Sequence, residues 1–388
     1  MLRRQFLSLL GGSLALALCP PALAATAGYH RLLVLVELKG GNDGLNTLVP
    51  YASPDYARLR PTLALARDQL LQLDERRALH PALAPLMPLW QAGELAWVEG
   101  VGYPAPNLSH FRSIEIWDTA SRSDQTLQQG WLSRLFARHP LPAGFAADGV
   151  VLASNELGPL AGGARAVVLS DPGALARQAR LLRDAPSSSA PPALAHILKV
   201  EADVRAAASA LGDKQREDMA AREGRTERNG AFGRAVDTLL AALASGAPVA
   251  VARLTLTGFD THGNQAPTQA RLLGELASGV AALRDGLQRQ GRWRDTLLIS
   301  YAEFGRRPRE NGNRGTDHGT VNAHLVSGGL VQGGFYGAPP DLSTIGDGNL
   351  PHAVDFRQLW ATAIERWWGQ ESASVLGGRF EPLPLLRA

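Results

Sequence analysis

The sequence predicts an α/β fold: a doubly wound, mostly parallel sheet covered by helices on both faces, with a helical insertion. Short apolar runs rich in β-forming residues recur along the chain, and segments with apolar residues at helical spacing lie between them. Clusters of Gly, Asp, Asn and His directly follow several of the runs, where open α/β sheets gather functional groups. The 388 residues suffice for such a domain, and 45% hydrophobic with 19% charged residues is ordinary globular composition.

The chain opens on a leader. Arg3-Arg4-Gln5-Phe6-Leu7 is a twin-arginine signature, an apolar stretch runs on to Leu18, and Ala22-Leu23-Ala24 offers small residues for cleavage before Ala25. The expected division is a signal peptide over 1–24 and one α/β domain over 25–388. The apolar stretch is too short to cross a bilayer, so no transmembrane span is expected in the mature protein. Cys19, the single cysteine, lies in the leader behind Leu18, where lipidation would favour Gly or Ala. Disulfides and thiol chemistry are thereby excluded from the domain. Arg3 and Arg4 sit in a segment with no acidic residue, so the formal charge of +3 falls near zero in the rest of the chain. That balance gives no footprint for nucleic acid. The implied partner during export is the twin-arginine translocase, and the implied location is periplasmic or extracellular.

Strands are expected at 31–38, 95–101, 149–154, 166–170, 249–257, 296–302 and 323–327. Helices are expected at 81–91, from Ser109 onward, through the stripe Leu272, Leu276, Val280, Leu283 and Leu287, and over 356–368. From 172 to 246 alanine and charge dominate around the low-complexity run Pro186 to Pro192, which reads as a helical insertion or cap.

Four polar clusters follow strands. Gly40-Gly41-Asn42-Asp43-Gly44 would turn tightly and project Asp43, or serve as an Asx-type turn. In Phe259-Asp260-Thr261-His262-Gly263, Asp260 and His262 are two apart, so an extended backbone puts both on one face. They would grip one ion, and carboxylate with imidazole suits zinc, manganese or iron, or they form a turn closed by an Asp–His hydrogen bond. Glu303-Phe304-Gly305 ends the strand TLLISYA, and Glu303 would reach the same crevice or be salt-bridged. Asp317-His318-Gly319 offers His318 as a ligand, with Asp317 as a ligand or a group that orients the imidazole. Ser109 stands at a loop-to-helix junction, among free N–H groups that suit an anion, and is equally a good N-cap.

The order FDTHGNQ, leucine-striped helix, Asp295-Thr296-Leu297-Leu298-Ile299, Glu303-Phe304-Gly305 and Asp317-His318-Gly319 resembles the alkaline phosphatase and sulfatase superfamily. More closely, the mature chain resembles the secreted family called domain of unknown function 1501, through GGNDGLNTLVPY, NLSHFRS, FDTHGNQ and the EFGR to DHG stretch. The resemblance implies an alkaline phosphatase/sulfatase-like fold. It also implies a metal-dependent hydrolase or transferase acting on phosphate, sulfate or related esters of small molecules or polymers. Asp43, Asp260, His262, Glu303, Asp317 and His318 would then hold a divalent metal, one ion or two. Ser109 would be the nucleophile, and Asn42, Arg112 and Arg306 would bind substrate. Two departures stand out: Phe304 replaces the histidine of the usual Asp-His-Gly motif, and the Asp-x-His spacing at 260–262 is short. They leave open a catalytically inactive binding or assembly module on the same scaffold.

Overall fold

The computed structural model describes residues 28–145, 147–169, 230–244, 246, 248–345 and 347–387. The expected leader with Arg3, Arg4 and Cys19 lies outside these residues, as does the run Pro186 to Pro192.

The first strand shows why the core forms. β1 (Leu32–Lys39) is apolar at nearly every position because both of its faces are covered. Leu32, Val34, Val36 and Leu38 enter one hydrophobic cluster, while Leu33 and Leu35 enter the other, the period of two that a strand imposes. Each such side chain contributes roughly 1.5–3 kcal/mol on burial.

Three short strands, β2 (Leu48–Val49), β3 (Leu71–Gln72) and β4 (Ala78–Leu79), form a small separate sheet after β1. The main sheet continues with β5 (Leu95–Gly102), β6 (Gly149–Leu152), β7 (Ala166–Leu169), β8 (Val251–Thr257) and β9 (Thr296–Tyr301). A hairpin of β10 (Gly305–Glu310) and β11 (Thr316–Gly319) follows, then β12 (Asn322–Ser327), β13 (Gly334–Gly337) and β14 (Val354–Asp355). The nine-stranded order is β13-β5-β12-β9-β1-β8-β6-β7, with β14 beside β5. Every pair is parallel except those made by β12, which runs antiparallel to β5 and β9. This is the expected mostly parallel α/β sheet.

One face is covered by the helices Met87–Gln91, Ala231–Ala244 and Gln265–Arg289, the last burying the predicted stripe. His110–Thr119, Trp131–Arg138 and Arg357–Ala361 cover the other. Winding on both faces is thus observed. Of the segment 172–246, the described helix Ala231–Ala244 is part of a covering layer. Phe232 packs against Gly279 so closely that a Cβ there would lie 2.5 Å from its ring.

Some details depart from expectation. The 81–91 helix begins as a 3-10 segment, Pro81–Leu86, because Pro85 interrupts it. The C-terminal helix passes into a π-helical stretch, Thr362–Trp367. Trp367 and Trp368 are both buried there, and the Trp368 indole donates to the Arg31 carbonyl (3.0 Å) at the start of β1. Beneath β1, Arg253 of β8 donates to the Glu37 carboxylate and to the Tyr301 hydroxyl, all fully buried. Among the described residues, no helix is long and apolar enough to cross a membrane.

Candidate metal centre

β1, β8, β9 and β5 end along the same edge of the sheet, and their trailing loops meet there. The approach is close: a Cβ on Gly40, whose φ is +114°, would lie 2.4 Å from the Asp260 nitrogen. Only glycine lets the loop after β1 touch the loop after β8.

At this edge His110, Asp260 and His318 each offer one ligand atom, and these atoms all lie within 4.8 Å of one another. His110 Nε2 is 3.3 Å from Asp260 Oδ2, and His318 Nε2 is 3.2 Å from Asp260 Oδ1. His262 joins them, its Nε2 3.0 Å from Asp260 Oδ1 and 2.9 Å from His318 Nε2. Asp260 and His262 therefore meet, as the extended segment predicts.

The second nitrogen of two of these rings is fixed. His110 Nδ1 is 2.8 Å from Glu303 Oε1, and His318 Nδ1 is 2.8 Å from the Leu108 carbonyl. A carboxylate and a carbonyl only accept, so each Nδ1 carries a proton, and in the neutral ring each Nε2 is the free ligating nitrogen that faces Asp260. The hydrogen bond to Glu303 raises the His110 pKa, whereas burial lowers that of His318 and disfavours its imidazolium.

Burial would raise the Asp260 pKa, but the hydrogen bond and the charge of Arg306 hold it down to about 2. Arg306 is itself buried. Its Nε donates to Gly41 O (2.7 Å) and its Nη1 to Thr316 O (2.9 Å). Its Nη2 reaches Gly40 O, Phe259 O (3.0 Å) and Asp260 Oδ1 (2.7 Å). One guanidinium thus ties the loops after β1 and β8 and the start of β11 to the carboxylate. The β10–β11 register sets Arg306 opposite His318. Phe304 forms the floor: its buried ring centroid is 4.8 Å from His110 and 4.3 Å from His318.

The remaining expected residues are placed differently. Asp43 is fully buried, caps Leu45 N with Oδ1 (3.2 Å) and pairs through Oδ2 with Arg60, with Gln265 donating to the same oxygen. It stands outside the His110–Asp260–His318 group, which corrects its expected place as a ligand: Arg60 occupies its charge. Asn42 is buried and bonded to Thr47 and Gln269, which closes it to substrate. Arg112 is turned to the carbonyls of Ser123 and Gln125 and to Glu115, away from substrate binding as expected from sequence. Arg306 has its donors committed to protein oxygens, so it braces the centre where sequence reading had it bind substrate. Glu303 lies behind His110, also accepting from Gly40 N (2.9 Å), rather than in the group of convergent ligand atoms. Asp317 is exposed, with Oδ1 3.6 Å from His262 Nδ1. Ser109 is exposed at the N-cap of His110–Thr119 and makes no side-chain capping hydrogen bond.

Sequence reading passed over His110. Its signal is the NLSHFRS stretch, where attention to Ser109 hid the imidazole beside it. His324, by contrast, is fully buried, T-shaped on Trp117 and remote in chemistry from the cluster.

The family model described as "Protein of unknown function (DUF1501)" matches residues 84–375. No curated protein matches in sequence. Among solved structures, the chain is similar to the C-terminal periplasmic domain of EcEptC from Escherichia coli in complex with Zn. That likeness has 11% identity, 77% of this chain and 72% of that one covered, and a TM-score of 0.37. A protein in the alkaline phosphatase superfamily from Vibrio parahaemolyticus is similar at 11% identity, with 91% and 71% covered and a TM-score of 0.39. The PsFucS1 sulfatase from Pseudoalteromonas sp. is similar at 9% identity, with 92% and 72% covered and a TM-score of 0.43. Likenesses of this degree leave the chemistry of the centre to its own side chains.

Proposed function

The chain belongs to the DUF1501 family of proteins of unknown function, and from that starting point we propose that it is an exported, metal-dependent hydrolase or transferase acting on phosphate, sulfate or related esters. One observation carries the reading: His110 and His318, with Nδ1 engaged behind them, turn their Nε2 atoms onto the oxygens of Asp260. In the neutral rings these nitrogens and the carboxylate oxygens face one another as lone pairs, and a cation between them removes the repulsion. Two imidazoles and a carboxylate, with His262 beside them, fit zinc, manganese or iron.

Bound there, a divalent ion would polarise an ester oxygen and lower the pKa of a nearby hydroxyl or water. The protein's own groups supply the rest. Glu303 keeps the His110 proton on Nδ1, and the Leu108 carbonyl does the same for His318. Arg306 holds Asp260 ionised and oriented. Ser109 is the group we assign to attack the ester: its hydroxyl is exposed, uncommitted to a cap, and set one residue before His110, while Asn107 Oδ1 accepts its N–H (2.9 Å). Phe304 and Arg306 fill the space and charge around the cluster, which supports one ion rather than two. Export would proceed through the twin-arginine translocase, with Arg3-Arg4 as the address and 1–24 removed.

A second reading, an inactive binding or assembly module, is favoured by Phe304, an apolar ring lodged among the histidines. Metal analysis of the exported protein, purified without chelator, separates the two alongside turnover of aryl phosphate and sulfate esters. Stoichiometric metal that is lost in Asp260→Asn, together with metal-dependent ester cleavage, is expected. A folded, metal-free protein would remove the first reading.

A further inference from the structure

His262 is the least supported imidazole of the centre. His110 and His318 each have Nδ1 fixed at 2.8 Å, whereas His262 Nδ1 faces Asp317 Oδ1 at 3.6 Å, beyond hydrogen-bonding distance. Its side chain is 45% exposed, yet its Nε2 stands 3.0 Å from Asp260 Oδ1 and 2.9 Å from His318 Nε2. With Nδ1 unengaged, the hold on this residue comes through its backbone.

The turn between β10 and β11, residues 311–315, grips that backbone. Asn311 Nδ2 donates to the His262 carbonyl (3.0 Å) and to Asp317 Oδ1 (3.2 Å). Asn311 Oδ1 accepts from Asn313 N (2.9 Å) and Gly315 N (3.1 Å). Both partners of Nδ2 are acceptors and both partners of Oδ1 are donors, so the amide is satisfied in one orientation only. Around it, Asn264 N donates to Asn313 O (3.0 Å), Gln265 N to Arg314 O (2.9 Å) and Thr316 N to Thr261 O (3.2 Å). Arg314 takes a left-handed backbone, φ +55°, that bulky residues rarely adopt. Gly315 is packed so closely that a Cβ there would collide with the His262 carbonyl carbon.

We propose that Asn311 is a positioning residue for the metal centre: through the His262 carbonyl and the Asp317 carboxylate it holds His262 on the open side as the fourth ligand. This rests on the reading of the centre given above. Asn311 touches neither the ion nor the substrate. It restricts a half-exposed residue in advance, so less ordering is left to do when an ion binds.

Asn311→Asp tests this because it keeps Oδ1 for the two N–H groups of the turn and replaces the Nδ2 donor by an oxygen facing two acceptors, one of them charged. Gly315→Ala loosens the same contact by steric displacement, and His262→Ala gives the reference state without the ring. Zinc affinity is measured by chelator competition, and the visible absorption of cobalt-loaded protein reports which ligands reach the ion. Zinc affinity should fall about 10-fold in Asn311→Asp. Its cobalt spectrum, like that of Gly315→Ala, should move toward that of His262→Ala. In the His262→Ala background, Asn311→Asp should cost nothing further. Wild-type affinity and spectrum in either variant that folds, Asn311→Asp or Gly315→Ala, overturn the proposal. So does an equal loss with and without the His262 imidazole, which would make Asn311 a general brace of the hairpin. His262→Ala with wild-type affinity and spectrum removes the fourth ligand and the proposal, while leaving His110, Asp260 and His318 as the centre. Wild type that takes up neither zinc nor cobalt removes the reading of the centre itself, and this inference with it.

Discussion

Replacing Glu303 by Gln isolates the contribution of a group that stands behind the proposed metal. The side chain is nearly isosteric, so its remaining oxygen can still accept from Gly40 N and from His110 Nδ1, at present 2.9 and 2.8 Å away. What disappears is the negative charge. A neutral acceptor forms a bond to the imidazole about half as strong, and the His110 Nε2 lone pair becomes less basic. Loss of such a supporting partner lowers metal affinity by about 10- to 100-fold, or about 1.4–2.7 kcal/mol. The assay is competition for zinc against a chelator of known affinity, run on folded protein, with His324→Leu as a buried control outside the cluster. Zinc affinity within twofold of wild type in folded Glu303→Gln would refute the idea that Glu303 acts through His110.

Three further variants bear on the same centre and its support. Ser109→Ala should abolish ester turnover by orders of magnitude with metal content intact; because the hydroxyl makes no capping bond, its stability should move by less than the ~1 kcal/mol of a lost N-cap, and retained turnover would leave only a loop residue. Arg306→Lys offers one ammonium where five acceptors are served, so loosened metal binding and a loss of about 1–3 kcal/mol of stability are expected in denaturant titration. His324 is held neutral by burial, its pKa lowered from 6.5 to about 3, so the stability this confers is present above pH 6.5 and is lost as pH falls toward 3. His324→Leu should remove that dependence, gaining on wild type by about 3 kcal/mol between pH 6.5 and about pH 4, and parallel stability profiles would contradict it.

Legibility in the sequence followed the range of the interaction. The apolar run of β1 and the stripe from Leu272 to Leu287 read directly, because burial on both faces of a strand or on one face of a helix leaves a local period. Asp260 and His262 were legible as a pair because two-residue spacing alone puts them on one face. The β10–β11 hairpin was not: Gly305–Glu310 is mostly charged and contains Pro308, so no apolar alternation marks it. Asp43 was misread because Arg60, which takes its charge, is recruited by a loop whose path no local pattern records. Arg306 looked like a substrate-binding arginine for a similar reason. Its backbone acceptors are carbonyls of three separate segments, and the direction of a carbonyl is set only when those segments meet.

The position of β1 has a consequence for the timing of biogenesis. Among the described residues it is the first strand made, yet it lies in the middle of the sheet, bonded to β8 on one side and β9 on the other. Glu37 waits for Arg253, 216 residues on, and the Arg31 carbonyl waits for the Trp368 indole, 337 residues on. At ribosomal speeds of about 5–20 residues per second, that last contact trails the first strand by roughly 20–70 s. Closing pairings this distant is also intrinsically slow. Until β8 and then β9 have been made, an Arg3-Arg4 leader would be displayed on a chain whose central strand has no neighbours. A transporter of folded cargo would therefore have to tell a presented signal from a finished sheet, and a nascent chain ending before β8 would present the one without the other.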